Sequence, residues 1–564
     1  MVRGDTITGS QVLGKALILE GIGTIFTLAG DHVLPAMDAM SDMGMRFIDT
    51  RHEQAAVHMA DAWGRITGQP GVAMYTTPGF ANAIPGLSNA LSTQSPLLSI
   101  SGSAPLSELG RGAGQEIDQI GMAQPTTKGA WMVNDARRLP QMVAEALRIA
   151  YIGRRGPVHL TVPLDVQQQE VLADEVRFYD PKSYRNLDLN PSSDDSISEA
   201  VALLKTAEKP LIIAGSAAGY SNCGDALKNF IETTRIPLMT EGDARGIVSD
   251  KHPYCCGFFD TGLNWATKLL KHADVIVLLG RSQDVIVGYA LPPVVSNDVK
   301  IIQIDPAPAL IGRNKGVSVG VVGDIEIVLD QLNKEVRKYK WKGSGWIGQL
   351  QNERQAQNES LVLLGNADTP MHAMTLYKNV QDILRDDDIL VFDGGDFCHF
   401  GKAFLPATNP KTWWYLPPLG MLGIGMPTAI ALKLAYPEKR VIHFTGDGAF
   451  GFNAMEFDTA VRHNLPILVV MGNDGSWGID RHIQLGVFGK TVATDLLRSR
   501  YEQLVIGLGG HGDYVDKLEH LSASLDRAFK AKLPALLNVQ IKGAVSPRGQ
   551  HAIERWKNTK APSL

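Results

Sequence analysis

The chain has 564 residues, of which 44% are hydrophobic and 20% are charged. At about 150 residues per domain, this length and composition predict three or four globular domains and exclude a disordered chain. The net charge is −5 and no run of basic residues occurs. We therefore expect neither a nucleic-acid-binding protein nor a membrane-surface protein.

The cysteines and the N-terminal segment favour an intracellular protein. The cysteines form no CxxC pair, which argues against a zinc site and against a disulfide framework; they are Cys223, Cys255, Cys256 and Cys398. The N-terminal residues contain no apolar signal region, so we expect a cytoplasmic protein. Residues 66–107 carry no charged side chain, but their prolines exclude a spanning helix. We expect a buried face there, inside the protein or between two subunits.

Short apolar runs alternate with helical patterns along the whole chain. In the N-terminal third the predicted strands are GTIFTLAG, MRFIDT, GVAMYTT, PLLSISG and GPVHLTVPLDV, and the predicted helices include EQAAVHMADAWGRIT. Continuous apolar strands separated by helices are typical of parallel sheets that are covered on both faces. The fold class is therefore α/β, with three doubly wound parallel-sheet domains.

Polar stretches divide this pattern into domains. Residues 167–195 and 333–360 are rich in charged and amide side chains and are interpreted as linkers. The predicted domains are residues 1–170, a central Rossmann-like domain over 190–335, and a C-terminal domain over 360–545. Residues 546–564 are basic, contain proline, and are interpreted as a C-terminal tail.

The strongest chemical signal lies in the C-terminal domain. One predicted strand ends in Gly446-Asp447-Gly448, a predicted helix follows, and the next strand ends in Asn473-Asp474. This places Asp447 and Asp474 at the carboxyl ends of neighbouring strands, where open α/β sheets bind ligands. Two carboxylates and a turn carbonyl suit Mg²⁺, and the helix after Gly448 offers free N–H groups to a diphosphate.

These motifs resemble those of the thiamine-diphosphate (ThDP) enzyme superfamily. The chain is most similar to the branch with acetolactate synthase, 2-hydroxyacyl-CoA lyase, oxalyl-CoA decarboxylase and benzaldehyde lyase. The family's metal motif ends in paired Asn, whereas this chain has Asp474 at the second position. The resemblance implies Mg²⁺ ligation by Asp447, by Asp474 rather than Asn473, and by the Ser476 carbonyl. It also implies coenzyme contacts by Gly448, Ala449, Trp477 and Gly478.

The N-terminal domain resembles the family's pyrimidine-binding domain, and the C-terminal one its diphosphate-binding domain. The segment IDTRHEQAAVHMADAWGRIT places Glu53 where the family has its coenzyme-activating glutamate. We expect this carboxyl group to be buried, so that it can exchange a proton with the aminopyrimidine ring. The resemblance further implies that the two halves of each site come from different subunits, in a homodimer or homotetramer.

The segment PPLGMLGIGMPTAIALKLAYP resembles the part of the family that bends the coenzyme. Leu422 takes the place of the family's wedge residue, which is usually Met, and the Gly420 carbonyl would accept a hydrogen bond from the coenzyme's amino group. Ordinary helix packing is the alternative interpretation. The preceding segment DGGDFCHFGKAF would help to hold the diphosphate through Gly395, Asp396 and Phe397.

Four residues are candidates for contact with the substrate. His32 follows the first strand, where benzaldehyde lyase has a His that can move a proton at the substrate hydroxyl group. Gln115, or alternatively Glu116, lies in a loop that resembles a substrate-side loop. Asp480 takes the place of a proton-relaying Glu of thiamine-dependent decarboxylases. Trp477 would wall the pocket. Each also fits a purely structural role, such as a helix cap for Asp480 or core packing for Trp477.

Several basic residues suggest an acyl-CoA substrate. Lys402 aligns with an Arg that contacts CoA in oxalyl-CoA decarboxylase, and Arg548 and Arg555 could close over a phosphorylated ligand. In the central domain, Arg281 and Asp305 follow strands and could hold ADP, while acetolactate synthase binds FAD at the same edge. For each of these residues a plain surface charge is the alternative.

The combined motifs predict a ThDP- and Mg²⁺-dependent carbon–carbon lyase or carboligase. The first hypothesis is a 2-hydroxyacyl-CoA lyase, which forms formyl-CoA and an aldehyde or ketone and also catalyses the reverse condensation. The alternatives are an acetolactate synthase acting on 2-ketoacids and a benzaldehyde-lyase-like acyloin lyase. The loop GDHVLP differs from the Gly-rich loop usual in acetolactate synthases, which favours the first hypothesis.

Overall fold

The computed structural model describes residues 5–185, 190–365 and 369–559. The chain forms two compact units. The first unit contains the described residues up to 185 together with 417–437 and 453–465. The second unit contains the remaining described residues, namely 190–416, 438–452 and 466–559 apart from 366–368.

The N-terminal segment of the first unit is built on a six-stranded, fully parallel sheet in the order β3-β2-β4-β5-β7-β6. Its elements are β1 (Thr6–Thr8), α1 (Gly9–Leu19), β2 (Thr24–Leu28), α2 (Leu34–Asp42), β3 (Arg46–Asp49), α3 (Glu53–Thr67), β4 (Gly71–Tyr75), α4 (Thr77–Thr93), β5 (Leu97–Ser103), α5 (Gln119–Ala123), β6 (Ala130–Met132), α6 (Leu139–Tyr151), β7 (Val158–Pro163), α7 (Leu164–Gln168), β8 (Glu170–Leu172) and α8 (Pro181–Tyr184). Strand β8 pairs antiparallel with β1.

The central segment contains a second six-stranded parallel sheet, in the order β11-β10-β9-β12-β13-β14. Its elements are α9 (Asp194–Lys205), β9 (Pro210–Ala214), α10 (Ser216–Gly219), α11 (Gly224–Thr234), β10 (Leu238–Thr240), β11 (Cys255–Phe258), β12 (Val275–Leu279), β13 (Lys300–Asp305), β14 (Val319–Val322), α12 (Ile325–Val336) and α13 (Trp346–Leu364).

The C-terminal segment contains a third six-stranded parallel sheet, in the order β16-β15-β17-β18-β20-β19. Its elements are α14 (Ala373–Gln381), β15 (Ile389–Asp393), α15 (Asp396–Phe404), β16 (Trp413–Tyr415), α16 (Gly425–Ala435), β17 (Val441–Gly446), α17 (Asp447–Phe450), α18 (Glu456–Arg462), β18 (Leu468–Asn473), α19 (Gly478–Phe488), α20 (Tyr501–Gly507), β19 (His511–Val515), α21 (Leu518–Lys530), β20 (Ala535–Gln540) and α22 (Pro547–Thr559). Helices α16 and α18 belong to the first unit.

Short 3-10 helices complete the described secondary structure. They cover Asp31–Val33, Gln124–Thr126, Ala136–Arg138, Ala173–Glu175, Gly242–Ala244, Trp265–His272, Val285–Ala290 and Pro308–Leu310. None of the described helices combines the length and the apolar character that crossing a bilayer requires.

The three parallel sheets confirm the predicted α/β fold class. Strands β4 and β12 are buried at every residue, as expected for strands with helices on both faces. Helix α3 begins at Glu53 because His52 caps it: its Nδ1 accepts a hydrogen bond from the Gln54 N–H at 3.1 Å. The helix ends where Gly68 takes a left-handed conformation (φ 75°).

Several segments that the sequence predicts as linkers or tails contain helices or strands in the structure. The prediction of a linker over 333–360 is wrong, because α13 occupies most of it and buries Trp346, Leu350 and Leu361. The predicted linker over 167–195 contains β8 and short helices. In the predicted tail, residues 547–559 form α22, which packs against α15 and α19, and residues 560–564 lie outside the described part of the chain. The predicted single helix after Gly448 is divided into α17 and α18.

A buried ion pair supports the second unit. The Arg245 guanidinium donates to both Asp250 carboxylate oxygens, at 2.9 and 2.5 Å, and to Thr240 Oγ1 at 2.8 Å. Both charged side chains are almost fully buried. Burial alone would raise the pKa of Asp250, but the Arg245 charge outweighs it and lowers that pKa. The pair is therefore held ionised.

We expect Asp250→Ala to lower the free energy of unfolding by about 3–5 kcal/mol, because it leaves the Arg245 charge buried and unpaired. Urea denaturation followed by circular dichroism measures this change. The control is Lys251→Ala, which removes an exposed partner of Asp386 and should change little. Equal denaturation midpoints for the two variants would contradict the expectation.

Candidate active site

Two aspartates meet at the carboxyl edge of the third sheet. Strands β17 and β18 are parallel neighbours, with Gly446 opposite Gly472. Asp447 follows β17 directly as the first residue of α17, and Asp474 follows the last residue of β18. Because parallel strands end at the same edge, the register brings both carboxylates to one place. The predicted neighbouring positions of the two strands are confirmed.

The environment of these carboxylates is unfavourable for two negative charges. Asp447 is 2% exposed, and burial, followed by the nearby Asp474 charge, raises its pKa to about 7. Burial also raises the pKa of Asp474, although the Ser476 N–H and hydroxyl donate to its Oδ1 at 3.1 and 3.0 Å. Among the residues described, Asp447 Oδ2 has no hydrogen-bond partner. A divalent cation would fit this site, because it would compensate both charges.

The side chain of Asn473 points into the interior. It is fully buried, donates to the Ser499 carbonyl and to Asn538 Oδ1 at 3.2 and 3.0 Å, and accepts from the Gly475 N–H at 3.2 Å. Its hydrogen-bonding capacity is therefore used within the protein, whereas Asp474 interacts with Asp447. The described residues contain no cluster of three or more His, Cys, Asp or Glu side chains suited to a metal. A metal here would depend on two carboxylates and backbone or ligand oxygens.

Three glycines at this edge pack closely against neighbouring side chains. A β-carbon at Gly448 would lie 2.7 Å from the Trp477 ring, and one at Gly395 would lie 2.7 Å from Ile479. A β-carbon at Gly478 would lie 3.0 Å from Asp474 Oδ2. A larger residue at any of these positions would push against Trp477, Ile479 or Asp474, so glycine preserves the present arrangement of the side chains at this edge.

Asp396 is already engaged by other groups of the protein. Its Oδ2 lies 2.6 Å from His482 Nδ1, and its Oδ1 accepts from the Ser546 N–H at 3.1 Å. A carboxylate cannot donate a hydrogen bond to a phosphate. Any contribution of this segment to diphosphate binding therefore comes from backbone N–H groups at the start of α15, at the predicted positions Gly395 and Phe397. The predicted residue Ala449 is buried in α17.

Glu53 lies in the first unit, at the start of α3. Its side chain is buried, 7% exposed, as expected from the sequence. Asn82 Nδ2 donates to Oε2 at 3.0 Å, and a β-carbon at Gly79 would lie 2.8 Å from Oε1. The carboxyl group is thus held by Asn82 from α4, and Gly79 leaves it the space that it occupies.

Helix α18 clamps the loop that precedes Glu53. The Glu456 carboxylate is fully buried and accepts from the Arg51 N–H at 3.0 Å and from the Thr459 hydroxyl at 2.6 Å. The backbone N–H of His52 also hydrogen bonds to it, and burial raises the pKa of Glu456 to about 7. Sequence reasoning missed Glu456; the signal was a single acid in an otherwise apolar stretch, AMEF.

His32 is placed by the 3-10 helix Asp31–Val33, directly after β2. It is nearly buried, and its Nδ1 lies 3.1 Å from Thr77 Oγ1. Gln115 is exposed in a loop and has a positive φ of 60°. Glu116 accepts from the Ala113 N–H at 3.0 Å and so orders that loop. The buried amide that reaches Thr77 is instead Gln119, at 3.1 Å, which sequence reasoning missed.

The remaining candidates, Gly420, Leu422 and Asp480, lie at exposed or half-buried positions. Gly420 is exposed with a φ of 72°, and Leu422 is half-buried. The Asn453 side chain donates to the Gly423 carbonyl at 2.7 Å and fixes this turn. Asp480 lies in the first turn of α19, where partial desolvation of its carboxyl group and then the Asp396 charge raise its pKa.

Lys402 lines a cavity of about 120 Å³ in the second unit. Its Nζ lies 5.2 Å from the centre of the Tyr415 ring, and burial lowers its pKa to about 8. Arg354 lines the same cavity. Arg548 donates to both Asp260 oxygens, at 2.6 and 2.5 Å. Arg555 is exposed on α22.

The predicted nucleotide residues of the central sheet are used within the protein. Arg281 is buried and forms ion pairs with Glu241 at 2.6 Å and with Asp284 at 2.5 Å. Asp305 is fully buried, and its Oδ1 accepts from the Ala307 N–H at 2.9 Å. A phosphate at this edge would have to compete with Glu241 and Asp284 for the guanidinium.

Comparisons with known proteins identify similar chains over nearly the whole length. Three family models match: the N-terminal TPP binding domain of thiamine pyrophosphate enzymes over residues 7–122, their central domain over 197–332, and their C-terminal TPP binding domain over 393–539. A probable acetolactate synthase of Mycobacterium bovis is 32% identical, with 95% of this chain and 96% of the relative aligned. The 2-hydroxyacyl-CoA lyase 1 of Homo sapiens is 30% identical, with 97% and 96% aligned. The 2-hydroxyacyl-CoA lyase 2 of Bos taurus is 32% identical, with 90% and 85% aligned.

The Glu456 clamp predicts a change in backbone protection. In Glu456→Gln the acceptor for the Arg51 and His52 amides becomes neutral, so their hydrogen exchange should accelerate about 10-fold. Hydrogen–deuterium exchange with mass spectrometry on peptides that span residues 46–56 measures it. The control is Asp458→Asn, which weakens the side-chain ion pairs of Asp458 with Arg51 and Arg462 but keeps the Glu456 acceptor, so it should leave these amides unchanged. Unaltered exchange in Glu456→Gln would refute the clamp.

Proposed function

Since the chain belongs to the thiamine pyrophosphate enzymes and is an enzyme that cleaves or forms carbon–carbon bonds, we propose that it is a Mg²⁺-dependent 2-hydroxyacyl-CoA lyase. The substrate R–CH(OH)–CO–S–CoA would be divided into the aldehyde R–CHO and formyl-CoA, or into a ketone and formyl-CoA when the hydroxyl-bearing carbon carries two substituents. The reverse reaction joins the same two products. We further propose a homodimer or homotetramer with active sites between subunits.

The position of His32 is the observation on which the choice between the two reactions rests. When the C–C bond of a 2-hydroxyacyl group breaks, the hydroxyl-bearing carbon becomes a carbonyl, so the hydroxyl proton has to be removed by a base near the substrate. Decarboxylation of a 2-ketoacid does not need this step. His32 lies at the carboxyl edge of the first sheet, and its Nε2 has no hydrogen-bond partner within the described part of the chain. This arrangement supports a base that acts on a hydroxyl group.

The coenzyme would be held at both ends by residues of this chain. Asp447, Asp474 and the Ser476 carbonyl would bind Mg²⁺, because hard oxygen ligands suit this ion. The diphosphate would contact backbone groups of Gly395, Phe397, Gly448, Ala449 and Gly478. The two rings of the coenzyme would contact Gly420 and Leu422. When bound, ThDP supplies an electron sink that stabilises a carbanion during C–C cleavage.

The chain's own groups would then manage the protons and the substrate. Glu53 would hold or release a proton at its buried carboxyl group. His32 would accept the hydroxyl proton, and Asp480 would return a proton to the product, with Trp477 walling the pocket and Gln115 contacting the substrate. The positive charges of Lys402 and Arg548 would favour the phosphates of CoA; Arg548 would have to leave Asp260 to reach them.

Acetolactate synthase is the second candidate, because several similar proteins carry that name. In that case two 2-ketoacids would be joined after decarboxylation. Neither reaction, as proposed, requires ADP or FAD at the central sheet, because Arg281, the candidate phosphate ligand there, is already paired with Glu241 and Asp284.

Substrate assays separate the two candidates. With ThDP and Mg²⁺, we expect formyl-CoA from 2-hydroxyisobutyryl-CoA or mandelyl-CoA and no acetolactate from pyruvate, both detected by mass spectrometry. Glu53→Gln should lose at least about 100-fold in rate while still binding ThDP. Acetolactate without formyl-CoA would overturn the first candidate in favour of the second. Full activity of Glu53→Gln would show that the activating group has been misassigned.

A further inference from the structure

A continuous chain of buried polar side chains runs through the first unit from His32. Neighbouring members lie within hydrogen-bond distance of one another, and every member is almost completely buried; in order they are His32, Thr77, Gln119, Thr161, His159, Ser99 and Tyr75. The members lie on different elements, so the chain is a tertiary feature. The positions of the protons in this chain can be derived by starting from backbone carbonyl groups, which can only accept hydrogen bonds.

The Gly102 carbonyl fixes the orientation of Gln119. Gln119 Nε2 lies 3.0 Å from this carbonyl oxygen and 3.1 Å from Thr77 Oγ1. The opposite orientation of the amide would place two acceptors 3.0 Å apart, so the nitrogen must face Gly102. Gln119 Oε1 then accepts from the hydroxyl groups of Thr161, at 3.2 Å, and Ser101. Both hydroxyl protons are thereby assigned.

The same reasoning fixes the far end. Because the Thr161 proton goes to Gln119, His159 Nε2, at 3.0 Å from Thr161 Oγ1, must be the donor. His159 Nδ1 then accepts from the Ser99 hydroxyl at 2.8 Å, and Ser99 accepts from the Tyr75 hydroxyl at 2.5 Å. Burial lowers the pKa of His159 to about 3, so this ring stays neutral and the donor directions do not change at ordinary pH.

Thr77 transmits this order to His32. Its Oγ1 lies 3.0 Å from the Gly102 carbonyl, and a short contact between two oxygens needs a proton that only Thr77 can supply. The Thr77 oxygen therefore faces His32 Nδ1, at 3.1 Å, as an acceptor. His32 must carry its proton on Nδ1, which leaves the Nε2 lone pair free.

We propose that Thr77 and Gln119 are positioning residues that hold His32 in the Nδ1–H tautomer, so that Nε2 presents its lone pair to the substrate hydroxyl. This inference rests on the proposed function only for the identity of the substrate group. The tautomer itself follows from the hydrogen bonds. The second anchor of the turn, the Gln167 side chain donating to the His32 carbonyl at 2.6 Å, fixes the backbone and not the ring.

The test uses the full chain labelled with ¹⁵N-histidine, with the His32 signals identified by their loss in His32→Gln. We expect the Nδ1–H tautomer in the wild type and in Thr77→Ser, which keeps the hydroxyl. Thr77→Val has the same shape but no acceptor, so its His32 should shift toward Nε2–H. The control is Ser88→Ala, in the same helix, whose hydroxyl only caps the Ile84 carbonyl at 3.0 Å. It should resemble the wild type.

Activity gives the second readout. Thr77→Val should lose about 100-fold in kcat for 2-hydroxyacyl-CoA cleavage with unchanged affinity for ThDP, and Thr77→Ser should recover most of it. An Nε2–H tautomer of His32 in the wild type would overturn the proposal, and this result does not depend on whether Thr77→Val folds. If Thr77→Val folds, an unchanged His32 tautomer in that variant would also overturn the proposal. The expected tautomers in an enzyme that cleaves no 2-hydroxyacyl-CoA would support the positioning and refute the proposed function instead.

Discussion

Two neighbouring, largely buried carboxylates set the main energetic constraint on the C-terminal sheet of this protein. Asp447 and Asp474 follow adjacent parallel strands, and the register of those strands leaves them no other position. Burial and mutual repulsion raise the pKa of Asp447 to about 7. Such an arrangement costs free energy in folding, and proteins retain such costs at functional sites. A bound cation removes the cost, which is why this edge of the sheet is interpreted as the metal end of the coenzyme site.

The helices after β17 connect both halves of the proposed chemistry. Helix α17 provides Asp447 in the second unit, whereas α18, a few residues later, belongs to the first unit and provides Glu456. Glu456 holds the backbone of the loop before Glu53. The position of the loop before Glu53 therefore depends on a segment about 400 residues away in the sequence.

The sequence predicted the interior of each sheet better than its edges. The interior strands are buried on both faces and read as continuous apolar runs. In the central sheet the predicted strands are PLIIAGS, IPLMTEG, ADVIVLLG and VKIIQIDP, and in the third sheet they are DILVFDGG, RVIHFTGDGAF, PILVVMGNDG and ALLNVQI. The strands that sequence reasoning missed in the three large sheets are all at an edge, and they are β6, β11, β14, β16 and β19. Strand β19, HGDYV, is only half-buried over most of its length, and such strands lack the apolar signal. Helix α13 was missed for a similar reason, since it buries few side chains.

For the site, residue types at strand ends were predictable, whereas partners across elements were not. Glu53, His32, Asp447 and Asp474 follow predicted strands, and topology alone brings such residues to a sheet edge. Gln119 and Glu456 act through contacts with residues 42 and 405 positions away. Their amide and carboxyl groups become informative only when the hydrogen bonds of the folded protein are known.

Coenzyme binding in the presence and absence of Mg²⁺ tests the central claim most directly. Titration calorimetry with ThDP should show binding to the wild type that EDTA abolishes. Asp447→Ala should weaken it at least about 10-fold, Asp474→Asn should retain it because an amide oxygen also binds Mg²⁺, and folded Asn473→Ala should keep its Mg²⁺ dependence. Undiminished Mg²⁺-dependent binding in Asp447→Ala would contradict the assignment of Asp447. Loss of Mg²⁺-dependent binding in Asn473→Ala but not in Asp474→Ala would contradict the assignment of Asp474.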